Sequence, residues 1–169
     1  MALHPVDPKT MTPEVFRIFD TQKALLTAGD RTACNTMTIG WCQMGDLWNR
    51  NTCTVYVRPE RYTYQLMENH DYFTVSVLPE NCGDIMRLCG SKSGRDTDKI
   101  KECGLTLCSG TGDAPFFQEA EWVLVCRKLY VQDLSPECVK DADIFKFYTS
   151  AMGGWHRMYV GEVLEAYHK

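Results

Sequence analysis

Apolar and polar side chains alternate most cleanly from Thr52 to Arg58: Cys53, Val55 and Val57 fall on one side, Thr54, Tyr56 and Arg58 on the other. Period two predicts a half-buried strand and puts Arg58 with the hydroxyls, away from the core. Pro59 lacks a backbone donor and ends the strand, and Arg61 to Asn69 then reads as a helix with Leu66 and Met67 inward. Asp71 to Leu78 returns as a strand with Phe73, Val75 and Val77 inward. Asn81 is placed to cap a helix through Ile85, Leu88 and Cys89 that stops at Gly90. Asp96 caps a further short helix with Ile100 inward and Gly104 at its end. The longest strand signal, Glu119 to Gln132, is apolar on both faces, as is the last, Arg157 to Tyr167. Strands of this kind are covered twice, inside a closed barrel wrapped by helices or at a subunit interface. About seven strands with uneven helical insertions predict a mainly β fold with peripheral helices, a barrel in preference to a βαβ array.

The chain of 169 residues suits one globular domain over 1–169, and no repeat, linker or low-complexity tract divides it. Hydrophobic content of 44% with 24% charged residues argues against disorder. A net charge of −4 supplies no basic footprint for nucleic acid, so a cationic cluster in this chain points to a small anion. The first residues, Met1 to Pro8, contain no apolar run of a secretory signal, and no stretch is long enough to span a membrane. Nine cysteines, an odd count without a leader, fit reduced thiols in a cytoplasmic protein, most of them acting as small core hydrophobes. No GxGxxG, GxxxxGKS, GxSxG or zinc-ligand spacing is present.

Two stretches concentrate anion-binding chemistry. Arg58-Pro59-Glu60-Arg61-Tyr62-Thr63 and Cys89-Gly90-Ser91-Lys92-Ser93-Gly94-Arg95-Asp96 each set cations and hydroxyls beside a helix end, where free N–H groups and the helix dipole favour negative charge. With Asn35-Thr36-Met37-Thr38 and Gly154-Trp155-His156 they point to a bound nucleotide. Each has a plainer reading as well. Asn35 and Thr36 could close a turn, Arg58 and Arg61 could be surface charges, and Ser91 to Asp96 could be a polar loop. Trp41 could be core, and a lone His before a strand is commonly a hydrogen-bonded surface residue.

Taken in order, four motifs resemble those of the flavin reductase-like, FMN-binding split-barrel family, which includes flavoredoxins. They are Asn35 to Trp41, Arg58-Pro59 with Arg61 to Thr63, Cys89 to Asp96 with Asp98-Lys99, and His156 with Tyr159 to Val163, and the match spans roughly Ala24 to the C-terminus. The resemblance implies a six-stranded antiparallel Greek-key split barrel, a homodimer, and FMN held without a covalent bond near the dimer interface, with FAD the less favoured flavin. It implies that the strand carrying Asn35, Thr36, Met37, Thr38 and Trp41 contacts the ring, with Trp41 as a flat wall. Arg58, Arg61, Lys92 and the hydroxyls of Thr63, Ser91 and Ser93 suit the phosphate, and Tyr62 the ribityl chain. In the family a Gly-Asp-His lies on the nicotinamide side of the flavin; here Trp155 replaces the Asp and His156 keeps its place. Two functions follow: an NAD(P)H-dependent flavin reductase, in which the protein positions and tunes a flavin that takes the hydride, or a flavoredoxin-like carrier passing electrons to a protein partner. The acidic balance suits docking to a basic redox partner.

Overall fold

The computed structural model describes residues 2–169, so Met1 of the expected domain lies outside the described residues. Among these, ten strands and four short α-helices follow one another: β1 (His4–Val6), α1 (Val15–Arg17), β2 (Ala24–Gly29), β3 (Cys34–Ile39), β4 (Cys42–Leu47), β5 (Arg50–Val57), α2 (Tyr62–Asn69), β6 (Tyr72–Val77), α3 (Gly83–Ser91), α4 (Lys99–Glu102), β7 (Leu107–Ser109), β8 (Pro115–Phe117), β9 (Trp122–Asp133) and β10 (Arg157–His168). No helix among them is long and apolar enough to cross a membrane.

All pairings are antiparallel, and the main sheet runs β3-β2-β6-β9-β10-β5-β4, with β1 added to β10 and β7-β8 forming a separate ribbon. Its two edges, β3 and β4, are consecutive in sequence and joined by Gly40 and Trp41 alone. The sheet therefore curls until its edges meet without pairing, which is a split barrel. β2, β3, β5, β6, β9 and β10 form the expected barrel, while β1 and β4 extend its margins.

Two cores share the sheet. Leu26, Val55, Val57, Phe73, Val75, Val77, Leu124, Cys126 and Tyr159 fill the inside. Leu25, Leu78, Met86, Cys89, Phe116, Phe117, Val123 and Val125 pack outside it under α3 and the β7-β8 ribbon. The first half of β9 thus alternates between two apolar layers, Trp122, Leu124 and Cys126 inward and Val123 and Val125 outward, as its doubly apolar pattern predicts. From Arg127 the same strand emerges, leaving Tyr130 and Val131 exposed. β10 crosses the core at Gly161, where a Cβ would stand 2.5 Å from Phe73 Cζ, so only glycine fits.

Two helix starts differ from expectation. Asn81 sits inside a 3-10 turn over Glu80–Cys82, already too helical to act as an extended N-cap, so α3 starts at Gly83 and runs through Ser91 instead of stopping at Gly90. Asp98, not Asp96, caps α4: its carboxylate accepts the Lys101 N–H at 3.1 Å, whereas the Asp96 N–H is turned back to Ser93 O. The helix after Pro59 begins at Tyr62, with Arg61 as its cap residue.

Candidate functional site

The site forms at the split. β4 begins opposite Val55, so Tyr56 and Val57, at the end of β5, pair with β10 on one flank and have no strand on the other, and Arg58 follows just beyond the strand. β3 and the Gly40-Trp41 turn border that gap, α2 leaves it at one end, and α3 with its following loop closes it. The result is one trough of two chambers that share Met37, Thr38, Arg61 and Gly90 as walls.

The smaller chamber, about 110 Å³, is walled by Arg61, Tyr62, Thr63, Ser91, Lys92, Ser93 and Lys99. Arg61 makes no side-chain cap bond to α2, and of the first-turn N–H groups Tyr64 donates to Arg61 O while those of Tyr62 and Thr63 have no intrahelical partner. Thr63 is buried and its hydroxyl accepts from Asn35 Nδ2 at 2.7 Å, keeping its own proton to donate. Lys99 is 3% exposed, yet its ammonium donates to a single protein acceptor, Cys89 O at 3.1 Å, and no carboxylate lies within ion-pair distance among the described residues. Burial lowers its pKa, and the nearby Arg61 charge adds to that. A buried cation with two unused donors is costly unless an anion joins it. The loop closes tightly over this chamber because residue 94 is glycine: a Cβ there would lie 2.0 Å from Asn35 Oδ1 and 2.8 Å from Tyr62 Cδ1.

The larger chamber, about 340 Å³, is flat-sided and aromatic, walled by Lys23, Met37, Thr38, Ile39, Gly40, Trp41, Tyr56, Arg58 and His156. Trp41 is 42% exposed and lies 4.8 Å from the His156 ring and 5.5 Å, edge-on, from Phe147. His156 is buried, with Nδ1 3.1 Å from the Tyr148 hydroxyl. Burial first, then the Arg58 charge, lower its pKa to about 4, so it is neutral near pH 7. Lys23 holds a left-handed backbone (φ 67°) and folds its ammonium onto the carbonyls of Phe19 and Asp20.

Most of the residues named from sequence meet in this trough. Arg61, Tyr62, Thr63, Ser91, Lys92 and Ser93 line its small end, Asn35 braces Thr63, and Met37, Thr38, Trp41 and His156 line its large end or the shared wall. Two do not take their expected places. Thr36 is fully buried against β2, its hydroxyl donating to Leu26 O and accepting from Thr27 Oγ1, so it lines neither chamber although Thr38, on the same face, does. Arg58 lies in the large chamber, and its fork closes on Gly154 O at 2.6 Å and Phe147 O at 2.8 Å, so the small chamber, where the sequence reading expects a phosphate, receives none of it. Ser91 and Thr38 donate to Arg87 O and Met86 O. Sequence reasoning named Lys99 within a motif but gave it no role, and it missed Lys23 and Tyr56 as wall residues and Tyr148 as the partner of His156. Lys99 alone carried a signal: it precedes Cys103 by four positions and so shares the inward stripe of α4.

Comparison with known families matches residues 16–169 to the flavin reductase-like domain. Among solved structures, the chain is similar to the flavoredoxin from Methanosarcina acetivorans (22% identity, TM-score 0.71, covering 97% of this chain and 76% of that one). It is also similar to an FMN-binding protein from Thermus thermophilus with bound p-hydroxybenzaldehyde (19%, 0.68, 98% and 82%) and to the flavoredoxin of Desulfovibrio vulgaris Miyazaki F (19%, 0.67, 95% and 75%). Comparison with curated proteins returned no match.

Proposed function

The chain belongs to the flavin reductase-like domain family, and we propose that it holds FMN non-covalently in the trough and works as an NAD(P)H-dependent flavin reductase, handing the electrons to an acceptor. The observation that carries this reading is the buried, carboxylate-free ammonium of Lys99 at the closed end of a trough whose other end is aromatic and flat. A phosphate monoester supplies the missing charge, and Arg61, Thr63, Lys92 and Ser93 add charge-assisted donors around it, while the Ser91 hydroxyl stays on Arg87 O. Tyr62 walls the small chamber, and a ribityl chain would run along the shared wall of Met37, Thr38, Arg61 and Gly90. FMN held by these residues would supply the hydride-accepting and electron-passing chemistry.

The protein's own part is to bind and to orient. Met37 and Thr38 on β3 border the shared wall, Trp41 supplies a flat face, and His156, neutral, lies beside Trp41 on the side assigned to the substrate. No acid–base dyad is required, because hydride passes directly between two cofactor rings. FMN is favoured over FAD because the Asn35–Gly94–Tyr62 contact closes the phosphate end. Apolar side chains left exposed beside the large chamber, Phe16, Trp41 and Ile144 among its borders, support a homodimer with flavin near the interface.

A flavoredoxin-like carrier is the second reading. It is favoured by Trp155, which occupies the acidic position of the family's Gly-Asp-His and stacks on Tyr148 at 3.9 Å. Adding NADH, then NADPH, to FMN-loaded protein without oxygen separates the two. Bleaching of the flavin band by either nucleotide supports the reductase; a band that bleaches only with dithionite or a reduced protein partner supports the carrier. Light scattering on the eluting peak tests the dimer.

A further inference from the structure

Arg58 draws attention because both terminal nitrogens of its guanidinium are engaged away from the small chamber. Its two terminal nitrogens take the carbonyls of Phe147 and Gly154, seven positions apart from each other, and its guanidinium lies 5.2 Å over the Tyr148 ring. Two residues on, Glu60 accepts the Gly154 N–H at 2.7 Å, and that bond lowers the carboxyl's pKa. The two side chains close on residues 147–154 from β5 as the jaws of a clasp. The paired glycines fit this: Gly153 has φ 99°, and a Cβ on Gly154 would come within 3.0 Å of Glu60 Oε1. Tyr148, carried by the clasped segment and packed flat on Trp155, directs its hydroxyl to His156 Nδ1, which is the only hydrogen-bond partner of that phenol among the described residues. Nε2 of His156 has no partner within the described protein, and the residue lines the large chamber.

We propose that Arg58 and Glu60 are positioning residues that clasp residues 147–154 and so hold His156 in one tautomer, its Nδ1 accepting from Tyr148 and its Nε2–H presented to the flavin-side chamber. A phenol held under a guanidinium is a better donor, which favours this direction of the bond. A neutral imidazole with its N–H facing the chamber suits the acceptor atoms of an oxidised flavin or of a bound carbonyl substrate. The part of this inference that concerns ligand rests on the FMN reading above; the tautomer and the clasp do not.

The test compares wild type, Arg58→Ala and Glu60→Ala, the last at an exposed site that leaves the core intact. Nitrogen-15 spectra of the His156 imidazole, recorded with and without FMN, read the tautomer directly. A single Nε2–H tautomer in wild type that becomes mixed in both variants supports the proposal. A Nδ1–H tautomer in wild type, or unchanged imidazole signals in Glu60→Ala, overturns it. Titrations with FMN and with riboflavin, which lacks the phosphate, add a second arm. Arg58→Ala should weaken both ligands by about tenfold and leave their ratio unchanged; loss of FMN affinity alone would make Arg58 a phosphate ligand and overturn the clasp. Should wild type bind neither flavin, the proposed function fails, while the imidazole spectrum of the free protein still decides the clasp.

Discussion

Replacing Lys99 by Met keeps the length and apolar body of the side chain and removes one charge. In the ligand-free protein that charge is buried with a single acceptor, Cys89 O at 3.1 Å, so two effects oppose each other. Losing a desolvated, unpaired ammonium stabilises the fold, and leaving the Cys89 carbonyl without its donor costs about 1–3 kcal/mol. They are of the same order, and the melting temperature of free Lys99→Met should stay close to that of the parent. With FMN bound as proposed the balance changes, because the ammonium would then make a charge-assisted bond to phosphate away from bulk water. Removing such a bond costs about 1.5–3 kcal/mol, roughly 10- to 150-fold in Kd. The exposed Lys92, screened by solvent, should cost at most about 1 kcal/mol when changed to Met. Titration calorimetry with FMN and riboflavin separates phosphate from ring: Lys99→Met should lose FMN affinity and keep riboflavin affinity. An equal loss for both ligands, or no loss for FMN, refutes the assignment of Lys99 to the phosphate.

Other perturbations test the remaining parts. His156 is neutral in the folded protein down to about pH 4, whereas an unfolded His binds its proton near 6.5, so folding stability should fall as pH drops from 6.5 to 4, by up to about 3 kcal/mol; urea melts across that range should show a shallower slope in His156→Gln. Val123 is fully buried in the outer core, so Val123→Asp should cost at least about 3 kcal/mol in denaturant unfolding, and an unshifted soluble variant would show that face of β9 to be open. In Gly94→Ala the added methyl meets Asn35 Oδ1 at 2.0 Å and must lift the loop from the phosphate chamber, weakening FMN by about 1–3 kcal/mol with the barrel intact; an unchanged titration would contradict the closed-loop geometry.

The barrel was legible because strand alternation and β9's doubly apolar pattern report burial directly, residue by residue. Cap assignments were less so: Asn81 and Asp96 have the right chemistry, but a 3-10 turn before α3 and the Ser93–Asp96 turn decide which residue has the extended backbone of a cap. Arg61, Thr63, Ser91 and Ser93 were readable because hydroxyls and cations cluster locally in the sequence. Lys99 and the Tyr148–His156 pair depend on which distant segments the sheet curl brings together, and one-dimensional spacing carries little of that. Arg58 shows the same limit from the other side: its polar strand face was correctly read, yet its partners, Phe147 O and Gly154 O, lie about ninety residues away.

The most direct test of the whole account is a crystal structure of the protein grown with FMN. The account predicts phosphate oxygens within about 3 Å of Lys99 Nζ and Thr63 Oγ1, and the ring in the chamber walled by Trp41 and His156. FMN density elsewhere on the barrel, or a trough that stays empty at saturating FMN, would contradict it.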